Sequence, residues 1–444
     1  MSLLEESWTF RTLSRPSPLP ASRLWRLPWS RAWEPIVFVA VGLAVGARHG
    51  TVAGVAAGAC VIALTELAAR RPHWAVSFLA FAYAAAPRLD AQLRAEDFAT
   101  LGLLLAALRT RRPFATPLDR PIAIWLLAIG LSLSVGLLSG TIARPAMGAF
   151  TALKILEYLI AFYAAVRLRA RLEPALFLAL MWLVLWGAVE SWTTNGRIFD
   201  RPPYKAEANH VGGFAALCAA WSYGRISERS TPRDWTLLAA SVGLAALTQS
   251  RIALLALGVV SVLQLFRARV RIPAVLILLL GALALLGPLK PRWTEAPREW
   301  RTFRRTEARV AEGFPPVFSY TRNRFEVWAL LADDFARYPI VGTGPGSRDR
   351  VLYENAGAMI ACELGAVGIG AFLLLLVAIF LHARVSWGAI SATLAMLVLG
   401  LASISFFLAR EAGPWWMMVG SALAGYTPRD GESSLVDPAD SAGA

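Results

Sequence analysis

Apolar residues fill this chain in long runs, broken at short intervals by clusters of arginine or by proline. The runs fall at 34–47, 51–69, 74–87, 97–108, 121–139, 146–166, 174–191, 209–224, 235–249, 252–266, 272–289, 356–381, 388–408 and 415–426. A membrane-crossing helix needs about 20 apolar residues, and several runs are shorter. Of these, 97–108 and 415–426 read as half-helices or as helices that extend into their polar flanks. The pattern predicts an all-α polytopic membrane bundle with about 12 to 14 crossings. One long polar stretch interrupts it, at 290–355. There Phe325, Trp328, Leu331, Ala332 and Phe335 recur at helical spacing, which predicts an amphipathic helix on the bilayer surface or over the bundle. Pro339, Gly342, Gly344, Pro345 and Gly346 then form a sharp turn. The chain divides into an arm at 1–33, a first membrane part at 34–289, the polar loop at 290–355, a second membrane part at 356–426 and a tail at 427–444. Pro16, Pro18 and Pro20 oppose a helix in the arm, and the tail has the composition of a disordered segment.

Composition changes this picture little. With 57% hydrophobic and 17% charged residues, too little polar surface is left for a soluble protein of 444 residues. Charge adds orientation. If the arginine-rich N-terminus is cytoplasmic, alternating crossings place 22 basic residues inside and 9 in the short loops outside. That is the bias the positive-inside rule describes, and a loop longer than about 60 residues largely escapes the rule. The 290–355 loop, with its twelve Arg/Lys, is therefore expected outside, and both termini inside. A signal peptide is not expected, since residues 1–33 lack an apolar core of the needed length. Basic charge on the outer side is not needed for insertion, so it points to an anionic substrate there.

Few residues on that side can do chemistry. Of four histidines, His73 and His382 fall inside and His49 sits in a short turn, which leaves His210, in AEANHVGGF, as a candidate base. Arg251, in LTQSRIALLAL, starts a helix after a hairpin of three residues, too tight to hold the guanidinium far from the membrane. Ionised groups so placed mark pathway or substrate sites. Lys154 and Glu157 are spaced to pair within the bundle. The three cysteines have no metal spacing and read as small packing residues. The glycine turn lacks the Gly-Lys-Ser/Thr ending of a nucleotide P-loop, although its permissive backbone suits close approach to phosphate oxygens. Adjacent Asp333 and Asp334 point to different faces of a helix, so no metal is expected.

Four segments, in order, carry a resemblance: AEANHVGGFAAL, TQSRIALLAL, RNRFEVWALLADDFARYPIVGTGPGS and YENAGAMIACELGAVGIGAFLLLL. Over residues 200–380 the chain resembles the bacterial O-antigen ligase and polymerase family of membrane glycosyltransferases. The resemblance implies transfer of a glycan from an undecaprenyl diphosphate carrier to an acceptor hydroxyl at the periplasmic face of the inner membrane, with no cofactor, metal or nucleotide sugar. The acceptor would be a glycan, lipid A-core or another hydroxyl, and nucleic acid is not an expected partner. Where ligases of that family have His-Asn, this chain has Glu354-Asn355.

As the sugar C1–oxygen bond breaks, charge grows on the diphosphate, and fixed guanidinium groups stabilise that charge bidentately. Arg251 and Arg324 are assigned to it, with Arg322, Arg348, Arg201 and Lys205 as further contacts. Glu354 is the base in place of the family's histidine, or His210 serves from another helix, or this chain needs no such base. Asn355 and Asn209 are assigned to substrate binding, at the diphosphate or the glycan, and the Asn355 amide could orient a sugar or a carboxylate. Two competing readings are a transporter or lipid flippase and a non-catalytic scaffold for polysaccharide assembly. The first is disfavoured by the absence of internal repeats and by polar candidates gathered at one face.

Overall fold

The structure, a computed structural model, describes part of residues 39–45 and residues 51–85, 94–109, 116–142, 145–168, 171–193, 208–267, 270–286, 324–347, 355–383, 386–401 and 405–424. Among the described residues it is all-helical, with fourteen α-helices from Thr51 onward. The first six are α1 Thr51–Arg70, α2 Pro72–Ala85, α3 Ala95–Arg109, α4 Asp119–Leu138, α5 Pro145–Leu168 and α6 Glu173–Thr193. Next come α7 Ala208–Glu228, α8 Pro232–Leu247, α9 Arg251–Gln264, α10 Arg271–Leu286 and α11 Arg324–Arg337. After the polar stretch come α12 Ala356–Ala383, α13 Trp387–Gly400, a 3₁₀ turn at Ser405–Phe407 and α14 Ala409–Leu423.

Local chemistry sets several helix starts. Proline opens α2, α5 and α8, where its missing N–H would have had no partner anyway. Thr231 caps α8 by accepting from the Asp234 amide at 3.2 Å, and Asp234 accepts the Thr231 hydroxyl in return. Ser386 caps α13 by accepting from the Ala389 backbone N–H.

Two helices form the centre. Along α7, Gly212, Ala216, Ala220 and Gly224 recur every fourth residue, and small side chains at that spacing let helices approach closely. Gly224 is the tightest point: a Cβ there would lie 2.1 Å from the Trp387 carbonyl oxygen of α13. Every residue from Val211 to Gly224 is buried, with α8, α9, α13 and α14 around it. Helix α14 packs on α2, α5, α7 and α13. Its Gly413 admits the Tyr83 ring, and its Gly420 meets the Phe162 carbonyl. The aromatic chain Phe372, Phe406, Trp415 and Trp416 has centroids 4.7–5.1 Å apart. It joins α12, the 3₁₀ turn and α14.

The outside of the bundle is apolar. Leu127 of α4, Leu153 of α5, Leu178 and Leu185 of α6, and Leu373 and Val377 of α12 are all exposed. Exposed apolar surface of that extent is matched by lipid and not by water. Among the described residues, four helices are long and apolar enough to cross a membrane: α4, α5, α6 to Glu190, and α12 to His382. Others, such as α9 and α13, are apolar over 14 residues each.

Some expectations change. The run at 415–426 extends into its polar flank, as one of its two readings had it: α14 is helical from Ala409 and takes in the charged pair Arg410-Glu411. Cys218 and Cys362 are buried packing residues, but Cys60 is exposed on the outer face of α1. The amphipathic helix forms as α11 and buries Leu331 against α12, while Ala332 faces outward because the neighbouring helix covers a narrower stripe. Asp333 is exposed and pairs with Arg337 at 2.8 Å, and Asp334 is buried, so the two do diverge.

Candidate functional site

The two ends of the bundle differ in chemistry. At one end, where α6, α8 and α13 begin, Arg225 of α7 binds Glu173 at 2.7 Å and Asp234 at 2.9 Å. Arg267 stacks over Trp387 at 3.8 Å from the ring centroid. These charges tie helix ends together. At the other end, α7, α9, α12 and α14 begin, and charged groups lie deeper.

The first turn of α7 is the meeting point there. Gly212 sits against the α8–α9 hairpin; a Cβ on it would come 2.6 Å from the Thr248 hydroxyl and 2.7 Å from Ser250 Cβ. Gly213, one helical step around, sits against Glu411, 2.9 Å from Oε1 on the same construction. The adjacent glycines of AEANHVGGF therefore admit two different elements to two sides of one turn. Gln249, in the hairpin, takes φ 51°, the left-handed conformation that closes so short a connection. Arg251 follows as the first residue of α9 and is exposed.

His210 is half-buried, and its Nδ1 lies 3.2 Å from Glu411 Oε1. Glu411 is 1% exposed, and its Oε2 has no hydrogen-bond partner among the described residues. Next to it Arg410, also buried, donates to the Ala84 carbonyl at the end of α2. Asn209 is exposed on the same turn as His210. The structure thus brings His210, Asn209 and the hairpin of Arg251 to one helix start. Sequence reasoning missed Glu411, although a charged Arg-Glu pair in a gap between two apolar runs was a usable signal.

Two candidates have polar groups engaged within the fold. Asn355 was assigned to substrate binding, but both ends of its amide are engaged within the fold. Its Oδ1 accepts from the Ala358 amide at 2.9 Å as the cap of α12, and its Nδ2 donates to the Leu401 carbonyl at 2.8 Å. The glycine turn, whose backbone could approach phosphate oxygens but which also reads as a plain connector, has its N–H groups taken. Gly342 N donates to the Tyr338 carbonyl, Thr343 N to Cys362, Gly344 N to Glu363, and Ser347 N to Gly344. Gly346 N donates to the Glu363 carboxylate at 3.0 Å.

Glycine is needed in that turn for packing. Gly342, Gly344 and Gly346 have φ of 71°, 94° and 71°, and α12 itself breaks at Gly365, with φ 64°. A Cβ on Gly365 would lie 2.4 Å from the Ile340 carbonyl oxygen, and one on Gly342 would lie 2.4 Å from the Glu363 carbonyl carbon. The turn is wedged between this break and the end of α4 with the connection to α5: Thr141 of the connection donates to the Thr343 carbonyl at 2.7 Å, and Ser132 of α4 donates to the Glu363 carbonyl at 2.5 Å. Irregular backbone at this depth, about 13 Å below the start of α12 at 1.5 Å per residue, must be satisfied by protein.

Lys154 and Glu157 do pair, at 2.7 Å, and Asp97 of α3 is a second carboxylate on the same ammonium. The trio is mostly buried between α3 and α5. Of the remaining site candidates, Arg201, Lys205, Arg322, Arg348 and Glu354 lie outside the described residues. Arg324 begins α11, but its side chain also lies outside them. Comparison with known protein families finds no matching family model, and comparison with the curated proteins finds no matching relative.

Proposed function

We propose that this chain is an inner-membrane glycosyltransferase of the O-antigen ligase kind. It moves a glycan from an undecaprenyl diphosphate carrier to an acceptor hydroxyl at the periplasmic face and crosses the membrane about 12 to 14 times. One observation carries the reading: the first turn of α7 has the Arg251 hairpin on one side and the His210–Glu411 pair on another. An inverting displacement needs a cation at the leaving diphosphate and a proton acceptor at the incoming hydroxyl, on different sides of the sugar C1. The α7 N-terminus adds partial positive charge between them. Arg251 and Arg324 take the diphosphate; His210, or Glu354, takes the proton. The resemblance over residues 200–380 supplies the substrate class.

Chain extension is the alternative within the same chemistry, and Glu354 in place of the family's histidine favours keeping it. The test is reconstitution in liposomes with an undecaprenyl-diphosphate-linked oligosaccharide and no nucleotide sugar or metal. Transfer to added lipid A-core identifies a ligase, and a product ladder identifies a polymerase. Arg251→Ala and Arg324→Ala are each expected to lower turnover by about 100-fold or more, the usual effect of removing a group that stabilises transition-state charge. No transfer to either acceptor, or both variants at the wild-type rate, would favour the transporter or scaffold reading.

A further inference from the structure

We infer that Glu411 is a positioning residue for His210, which takes the proton of the acceptor hydroxyl; the inference rests on the glycosyl transfer proposed above. Three observations converge. First, the pair joins residues 201 positions apart, and Gly213 leaves the space through which Glu411 reaches the start of α7. Second, Glu411 is buried, while the His210 side chain is 28% exposed, so the carboxylate lies behind the ring and the ring faces the end of the bundle. Third, Glu411 Oε2 lacks a partner among the described residues. A buried carboxylate held by one contact is costly, and folds retain such groups mostly where they act.

The chemistry follows from which nitrogen the carboxylate holds. An ionised carboxylate accepts from Nδ1–H, so this contact fixes the tautomer in which Nε2 carries the lone pair. In the reaction the acceptor oxygen bonds to sugar C1 while the C1–oxygen bond to the carrier breaks. The electron pair of that bond leaves on undecaprenyl diphosphate, and the hydroxyl proton moves to Nε2. Glu411 holds the imidazolium so formed through the same contact, and His210 then returns the proton to water. Nothing in the sequence pairs these two residues, and the role differs from that assigned to Glu354.

The test compares Glu411→Gln, His210→Gln and the double variant in the reconstituted assay, with kcat and the KM for donor measured separately. Glu411→Gln keeps the shape and is expected to lower kcat roughly 100-fold, within the range of general-base effects, with KM for donor unchanged. The double variant is expected to be no slower than His210→Gln alone, because residues acting as a unit are not additive. Glu411→Asp, which keeps the charge, is expected to recover part of the loss.

A Glu411→Gln enzyme at the wild-type rate, or losses that multiply in the double variant, overturns the inference while glycosyl transfer stands. Should the buried substitution prevent folding, as seen by aggregation on gel filtration, His210→Gln at the wild-type rate overturns it instead. If the wild-type protein transfers no glycan, the functional reading fails and the inference fails with it.

Discussion

Arg251 and Asn355 were singled out for the same reason, a polar group at a helix mouth, and the structure separates them. Asn355 is a helix cap tied to the end of α13. Asn355→Ala is therefore expected to cost about 1 kcal/mol, the usual loss for a cap, with turnover per folded molecule unchanged. A thermal melt in detergent alongside the transfer assay checks this, and a large fall in turnover at unchanged Tm would return Asn355 to the substrate. Arg251 predicts the reverse. It is exposed on a hairpin already closed by Gln249, so Arg251→Lys should leave Tm in place. Turnover should still fall by at least about 10-fold, because an ammonium cannot reproduce a bidentate guanidinium–phosphate contact. Cap and ligand chemistry draw on the same side-chain atoms. From sequence alone the Asn355 amide could be read either way, and the partner that decides, the Leu401 carbonyl, is 46 residues distant.

At the scale of elements, the glycine turn and the break in α12 form one unit. Gly365→Ala and Gly342→Ala each combine a positive φ with a Cβ that meets backbone at 2.4 Å, so each is expected to destabilise the protein by more than about 4 kcal/mol. Gly370, in the same helix, has open space around its Cβ position, and Gly370→Ala should be neutral or slightly stabilising. Melting curves for the three variants check the contrast; a Gly365→Ala protein that melts like Gly370→Ala would show that the break is not required. The Lys154 trio makes a parallel case. Lys154→Met leaves Asp97 and Glu157 facing each other with little solvent and should cost about 3–5 kcal/mol. Adding Asp97→Asn and Glu157→Gln should recover most of that, as read by Tm. The Lys154–Glu157 contact was legible because i,i+3 spacing is local. Asp97 was not, since nothing in the chain says that α3 and α5 are neighbours.

Taken whole, the molecule was legible where the physics is local. Apolar runs marked nearly every helix, and the clusters of arginine marked one end of the bundle. What stayed hidden was long-range: the depth of α14, the pairing of Glu411 with His210, and the use of the glycine turn for packing. Orientation in the membrane is the property on which the functional reading depends most. Arg167, Arg171, Arg225, Arg229, Arg233, Arg267 and Arg271 lie at the end opposite His210, Glu411 and Arg251, and basic clusters beside membrane helices are retained on the cytoplasmic side. The expected topology therefore puts residues 290–355 outside and 427–444 inside. Single cysteines report it in a Cys60→Ala background, because Cys218 and Cys362 are buried. In spheroplasts, a membrane-impermeant maleimide is expected to label Trp300→Cys directly and Leu435→Cys only after permeabilisation. The opposite result would put His210, Glu411 and Arg251 on the cytoplasmic side. Nucleotide sugars are available there, and the physical reason for a lipid-linked diphosphate as donor would be gone.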